Sequence, residues 1–161
     1  MSPTEKVLTN KAPKPLPQFS QAVKYNGMVY CSGSIGFDPA TSALVEGGVK
    51  NQTRRALQNL TAVLEAAGSS LDNVVKVNIF LTTMDNFAAM NEAYDEFFKQ
   101  EVKPVSKPRR SVWQTVFFLG AVVNPSNLAQ KCRTCVAVYQ LPFQALVEIE
   151  CTAFLSPGSK L

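Results

Sequence analysis

Arg133 opens the first of two apolar runs, Thr134 to Leu141, and Glu148 and Glu150 interrupt the second, Ala145 to Leu155. Both runs are rich in Val, Ile, Thr, Cys and aromatic residues, which suits the strands of a half-buried sheet. Residues two apart on a strand share a face, so Glu148 and Glu150 point the same way, with Leu146 and Thr152. Carboxylates are seldom buried without partners, so that face is either solvated or part of a polar site; on physics alone the solvated face is the plainer reading. An arginine at the mouth of a sheet keeps the site in view, because its planar fork can hold a carboxylate through two parallel hydrogen bonds. The chain has no histidine, which excludes a histidine base, a Ser-His-Asp triad and zinc sites that use His. Cys132-x-x-Cys135 has the spacing of half a metal or redox site. No second CxxC accompanies it, and in a strand i and i+3 face opposite ways, so metal and redox chemistry are not expected.

The elements that must position these residues can be read in order. Pro142 cannot donate to a ladder, so it ends one strand and turns into the next, and the two apolar runs are expected to form a β-hairpin. Upstream, Lys6 to Thr9 reads as a first short strand, followed by a loop holding Pro13, Pro15 and Pro17. Phe19 to Tyr25 and Met28 to Ser34 flank Asn26-Gly27, a strong signal for a type I′ hairpin. Ser32-Gly33-Ser34-Ile35-Gly36 then ends the strand and leads to a turn at Asp38-Pro39, without any phosphate-binding pattern. Ala56, Leu57, Leu60, Val63, Leu64 and Ala67 repeat at helical spacing, predicting a helix over 49–67 closed by Gly68, with Arg54 and Arg55 at its surface. Val74 to Thr82 alternates as a strand, and Asp85 is placed to cap a second helix from Asn86 to about Gln100. In that helix Phe87, Met90, Tyr94, Phe97 and Phe98 form an apolar stripe, with Asn91 and Asp95 beside it. The order ββ, α, β, α, ββ implies an α+β fold with both helices on one face of a sheet. The opposite face still carries Val and Ile, and self-association is the economical way to cover it.

A chain of 161 residues with a net charge of +4 suits one globular domain with room for a core. Its Lys and Arg are scattered, which argues against nucleic acid as an obligatory partner. The opening MSPTEKVLTNKAPKPLPQF has no apolar core, contains no Arg and includes Glu5, so neither a secretory signal nor a clear mitochondrial presequence is expected. Four cysteines without such a signal suggest free thiols in a reducing compartment, the cytoplasm by default with the mitochondrion as the alternative, and no membrane anchor.

RTCVAVYQLP followed by ALVEIECTAF closely resembles the signature of the Rid family, the YjgF-like reactive intermediate deaminases. SQAV, YCSGSIGFDPATS and NEAYDEFF are similar to family segments in the same order, so the resemblance covers nearly the whole chain as a single YjgF-like domain. It implies a chorismate-mutase-like fold: a mixed β-sheet with two helices on one face, assembled as a homotrimer with ligand sites between subunits. It also implies cofactor-free hydrolysis of an unstable enamine or imine, such as 2-aminoacrylate, 2-iminopropanoate or 2-iminobutanoate, to a 2-keto acid and ammonium. On the family pattern Arg133 holds the substrate carboxylate and Glu148 positions the attacking water, helped by the main-chain carbonyl of Cys135. Main-chain groups near Ser32 and Gly33 line the pocket, and Asn91 matches a position linked with it. Phe19 stands where the family often has Tyr; its ring can wall the pocket but offers no hydroxyl. The competing reading is a non-catalytic trimer that senses carboxylate ligands or binds RNA or protein. RNA binding would call for a basic patch interleaved with exposed aromatics, which the sequence does not display outside the block described next.

That block, Arg109 to Lys131, has no counterpart in the family pattern, which runs from a short Pro-containing turn almost directly into the Arg133 strand. Its apolar part, Val112 to Val123, has about half the length of a bilayer span. It reads as a lineage-specific excursion, an extra edge strand or a translated intron, and the last is favoured because its removal restores a continuous family sequence. A transcript lacking these codons is the expected finding; a peptide from 112–123 in the native protein would sink the idea. VWQTVFFLGAVV is uncharged and strand-prone, an aggregation hazard wherever it is exposed.

Overall fold

The computed structural model describes residues 4–98 and 132–156. The block 109–131 and the expected end of the second helix therefore lie outside the described residues. Along the chain run β1 (Glu5–Val7), β2 (Ala22–Tyr25), β3 (Met28–Cys31), β4 (Ser34–Ile35), β5 (Phe37–Asp38), β6 (Ala43–Leu44), α1 (Gly48–Ala67), β7 (Val74–Leu81), α2 (Phe87–Tyr94), β8 (Cys132–Ala137) and β9 (Val147–Phe154).

Local sequence explains most of these elements. Asn26 and Gly27 have φ of 50° and 79°, the two left-handed residues that a type I′ turn needs. They set Tyr25 opposite Met28 in the β2–β3 ladder. In α1 the six residues of the helical repeat are all buried. Gly68, at φ 82°, closes the helix: its N–H donates to Glu65 and that of Ser69 to Leu64, the Schellman arrangement that satisfies two orphan carbonyls. Arg54 lies at the surface as expected, paired with Glu96, whereas Arg55 reaches inward to Asp38 at 3.1 Å.

Both helices pack on one face of a mixed sheet whose order is β1-β2-β3-β9-β7-β8, with β4 also paired to β9. The expected hairpin between the last two strands does not form. β7 lies between them, parallel to β8 and antiparallel to β9. The physical reason is the connection. Pro142-Phe143-Gln144 makes a 3-10 turn with Phe143 and Gln144 at φ 56° and 59°, not the two-residue turn of a hairpin. Residues 138–146 instead arch over the end of β7, where Val138 N donates to Leu81 O and Thr82 N to Leu146 O. Crossing over lets both apolar runs pair with β7, the strand whose Val77, Ile79 and Leu81 are fully buried. α2 lies in the crossover that a parallel pair requires.

Smaller differences have local causes. β1 stops at Val7 because the Gln21 side chain takes both the N–H and the carbonyl of Thr9. Thr83, not Asp85, caps the second helical segment; its hydroxyl accepts from Asp85 N. α2 ends at Tyr94, whose carbonyl accepts from both Phe97 and Phe98 in the turns that follow. Val77, Ile79, Leu81, Val147, Ile149, Cys151 and Ala153 face the helices and are buried. The outer face carries Tyr30, Ile35, Lys76, Asn78, Phe80, Val136, Glu148 and Glu150. No helix among the described residues is long and apolar enough to cross a membrane.

Because β7 alone among the last three strands has paired neighbours on both sides that are long, its amides should exchange slowest. Hydrogen exchange followed residue by residue should rank β7 above β8 and β1 in protection. Equal protection of β8 and β7 would contradict the strand order.

Candidate active site

Arg133 and Cys135 register with Val77 and Ile79 of β7, and therefore point to the helix face. There α2 surrounds the Arg133 guanidinium. Nη2 donates to the Asn91 Oδ1 in a short hydrogen bond and lies 3.9 Å from the Met90 sulfur. The guanidinium carbon sits 4.5 Å from the Tyr94 ring centre and 5.7 Å from that of Phe87. A cation over an aromatic face gains about 0.5–2 kcal/mol, more as it is desolvated. Positions 87, 90, 91 and 94 fall on one side of a helix by their spacing, so one face of α2 supplies the whole cradle. Burial pushes the Tyr94 hydroxyl up to about 12, with Arg133 acting in the opposite direction, so the ring stays neutral. Among the described residues no carboxylate stands within ion-pair distance of Arg133.

Glu148 lies on the other face of the sheet, between Phe80 of β7 and Ile35 of β4. Its carboxylate presses on the main chain of Gly33, where an added Cβ would fall 1.9 Å from Glu148 Oε1. Only glycine admits that approach. Burial, and next the charge of Glu150, raise the Glu148 carboxyl above its ordinary value of 4.5. Glu150 has a different setting: its Oε1 accepts from Asn78 Nδ2 at 2.7 Å. The Ser32 hydroxyl donates to Ser20 O at 2.6 Å, and Ser32 N to Gln21 O at 3.0 Å, which fixes the segment leading into Gly33. Phe19, next to Ser20, is largely exposed.

The residues singled out from sequence thus fall into two groups. Arg133, Cys135 and Asn91 meet on the helix face. Glu148, Gly33 and Ser32, with Phe19 in the adjoining loop, lie toward the outer face. Within one chain the sheet separates Arg133 from Glu148. Cys132 and Cys135 point to opposite faces, so they do not form one site. Cys31 and Cys151 are buried thiols; the hydrogen bond between them, together with burial, pushes Cys31 up. Sequence reasoning placed Phe87, Met90 and Tyr94 in an apolar stripe and missed their contact with Arg133. The Asn91–Tyr94 spacing was the available signal, but it points at Arg133 only once the parallel β7–β8 register is known.

Each group has its own chemistry. A guanidinium held flat on aromatic rings, with one nitrogen bonded to an amide oxygen, can hold a planar anion through its remaining N–H groups. A half-buried carboxylate with a raised pKa can accept a proton from water near neutral pH.

Residues 9–155 match the family described as Endoribonuclease L-PSP. A RutC family protein of Pyrococcus abyssi is 37% identical over 150 residues, covering 93% of this chain and 96% of that protein. The 2-iminobutanoate/2-iminopropanoate deaminase of Dermatophagoides farinae is 40% identical over 99 residues, 62% of this chain and 77% of the relative. The structure of the Rid family protein YyfA from Yersinia pestis superposes with a TM-score of 0.75 at 33% identity, covering 95% of this chain and 100% of that one. The sheet with two helices on one face matches that structure over nearly the full length, and the chain belongs to the Rid family, also called YjgF/L-PSP.

Proposed function

We propose that this chain hydrolyses small, unstable imine or enamine carboxylates to 2-keto acids and ammonium, at a site completed by a second copy of the chain. The observation that carries this reading is Arg133: its guanidinium is held by Asn91 and Tyr94 with no carboxylate of its own among the described residues. A substrate carboxylate is the planar anion that fits such a fork. Because Glu148 faces the other side of the sheet, the carboxylate fork of one copy would work with the Glu148 and Gly33 of its neighbour. A homotrimer is the assembly this reading uses.

The chemistry then needs orientation and one proton acceptor, and no cofactor. Glu148 takes a proton from water as the water oxygen bonds to the imine carbon and the C=N pair moves to nitrogen. Glu148 then gives that proton to the nitrogen. The C–N bond of the tetrahedral intermediate breaks as the hydroxyl proton passes to the departing nitrogen, and the ketone and ammonia form; the ammonia takes one further proton from solvent. One water enters, and one keto acid and one ammonium leave. On this reading, main-chain groups at Gly33 and Cys135 orient the water and the intermediate. Phe19 walls the pocket without a hydroxyl.

The test is release of keto acid from 2-aminoacrylate generated in the assay by a PLP-dependent lyase. Glu148→Gln should lower kcat by about 10²–10⁴-fold. Arg133→Ala should act mainly on KM, and Arg133→Lys should not restore it, since an ammonium lacks the planar fork. Keto-acid release at the uncatalysed rate by a correctly assembled wild type would reject hydrolysis and favour carboxylate sensing.

The pH profile carries a second expectation. Activity needs ionised Glu148, so it should fall as pH drops through a value above 4.5, the ordinary carboxylate figure. Glu150 raises that value, so Glu150→Gln should move the acid limb to lower pH. An acid limb that stays in place when Glu150 is neutralised would remove Glu148 as the titrating group.

A further inference from the structure

Two buried amides on α1, Gln52 and Asn59, are polar residues that no step above uses. They are 7% and 2% exposed and lie two turns apart, on the same side of the helix. Asn59 Nδ2 donates to both carbonyls that flank Gly36: Ile35 O at 3.3 Å and Phe37 O at 2.9 Å. Gly36 permits this, because a Cβ there would fall 2.5 Å from the Gln52 Cα. Gln52 Oε1 accepts from Leu146 N at 2.8 Å. α1 therefore grips the β4–β5 corner with one amide and the entry to β9 with the other.

Those are the two backbone segments that frame Glu148. Ile35 is its cross-strand partner, Gly33 lies two residues before Ile35 against the carboxylate, and Leu146 lies two residues before Glu148. Asn59 Oδ1, in contrast, is buried with no hydrogen-bond partner among the described residues, a condition that costs about 1–3 kcal/mol. A leucine would match the side chain's size without that orphan oxygen. The amide is thus badly suited to plain packing and well suited to holding two carbonyls in place.

We infer that Asn59 and Gln52 are positioning residues that hold the Gly33 main chain and the Glu148 carboxylate in register with each other. The inference rests on the reading of Glu148 as proton acceptor only for its kinetic arm; its structural arm is independent. Of the strands packed around Glu148, β9 brings Glu150, β7 brings Lys76 and β3 brings Tyr30 to the same face, while β4 and β8 bring Ile35, Cys132, Thr134 and Val136. None is altered by the variants below.

The experiment uses the full chain, with Asn59→Leu and Gly36→Ala compared with wild type and Glu148→Gln. Asn59→Leu removes the clamp's donor, whereas Gly36→Ala pushes the same corner off α1 with the amide intact. Circular dichroism and solution mass establish that each is folded and assembled like wild type. In both variants kcat should fall by about 10²-fold, the loss expected for misplacement on the order of 1 Å, while KM changes by less than about twofold because the Arg133 half is untouched. The Glu148 carboxyl, followed by carbon NMR, should titrate closer to 4.5 as the Gly33 main chain withdraws and water enters. A purely structural amide would lower stability without moving that titration. Wild-type kcat and an unmoved titration in folded Asn59→Leu and Gly36→Ala would overturn the inference. A fully active Glu148→Gln would instead reject the reading of Glu148, leaving the titration to decide the positioning role. Should one variant fail to fold, the other and Gln52→Met read the same quantities.

Discussion

The pairing of β7 with both β8 and β9 is the constraint on which the rest depends. Cross-strand partners share a face, so the registers Val77–Arg133 and Phe80–Glu148 send the two side chains to opposite sides of one sheet. A slip of one residue in either ladder would reverse a whole strand. Such a slip would bury Glu148 among Val77, Ile79 and Leu81, which is why the register is held so firmly. The fully buried aliphatics of β7 and β9 fix the face, and the charged residues follow from parity. On the proposed function, a single copy presents two half-sites that a second copy of the same chain would unite.

The two halves are built by different physics. Around Arg133 the protein supplies aromatic faces and one amide oxygen, none of which neutralises the charge. The guanidinium is oriented but left as a cation, which is what an anionic ligand needs. Around Glu148 the protein supplies little besides bulk and main chain, with glycine at position 33 because anything larger would strike the carboxylate. One half is preorganised by stacking and the other by close backbone approach.

How much of this was legible in the sequence depends on the range of the interaction. The type I′ turn at Asn26-Gly27, the apolar face of α1 and its Gly68 stop are local, and each is where the residues indicated. The final hairpin was misread because Pro142 signals only that a strand ends. It does not say whether the chain turns back beside itself or crosses a third strand; that choice is made by β7, far away in sequence. The same blindness hid the Tyr94 contact with Arg133, since α2 and β8 meet only through the sheet. Arg133, Glu148 and Gly33 stood out through the family pattern, whereas Gln52 and Asn59 belong to no motif and are buried polar residues of α1.

Glu148 and Glu150 share a face, a strand and a charge, yet they stand in different environments. Asn78 donates a hydrogen bond to the Glu150 carboxylate. Glu148 has burial and a like charge beside it, both of which favour the neutral acid. A carboxyl whose folded pKa is raised adds stability at pH values below its unfolded pKa, and that contribution is lost as pH rises through the folded value. At neutral pH the ionised Glu148 therefore opposes folding, and a glutamine of the same shape would not. Among the described residues no salt bridge engages Glu148. On the proposed function, the affinity of Glu148 for a proton is the property that the reaction uses.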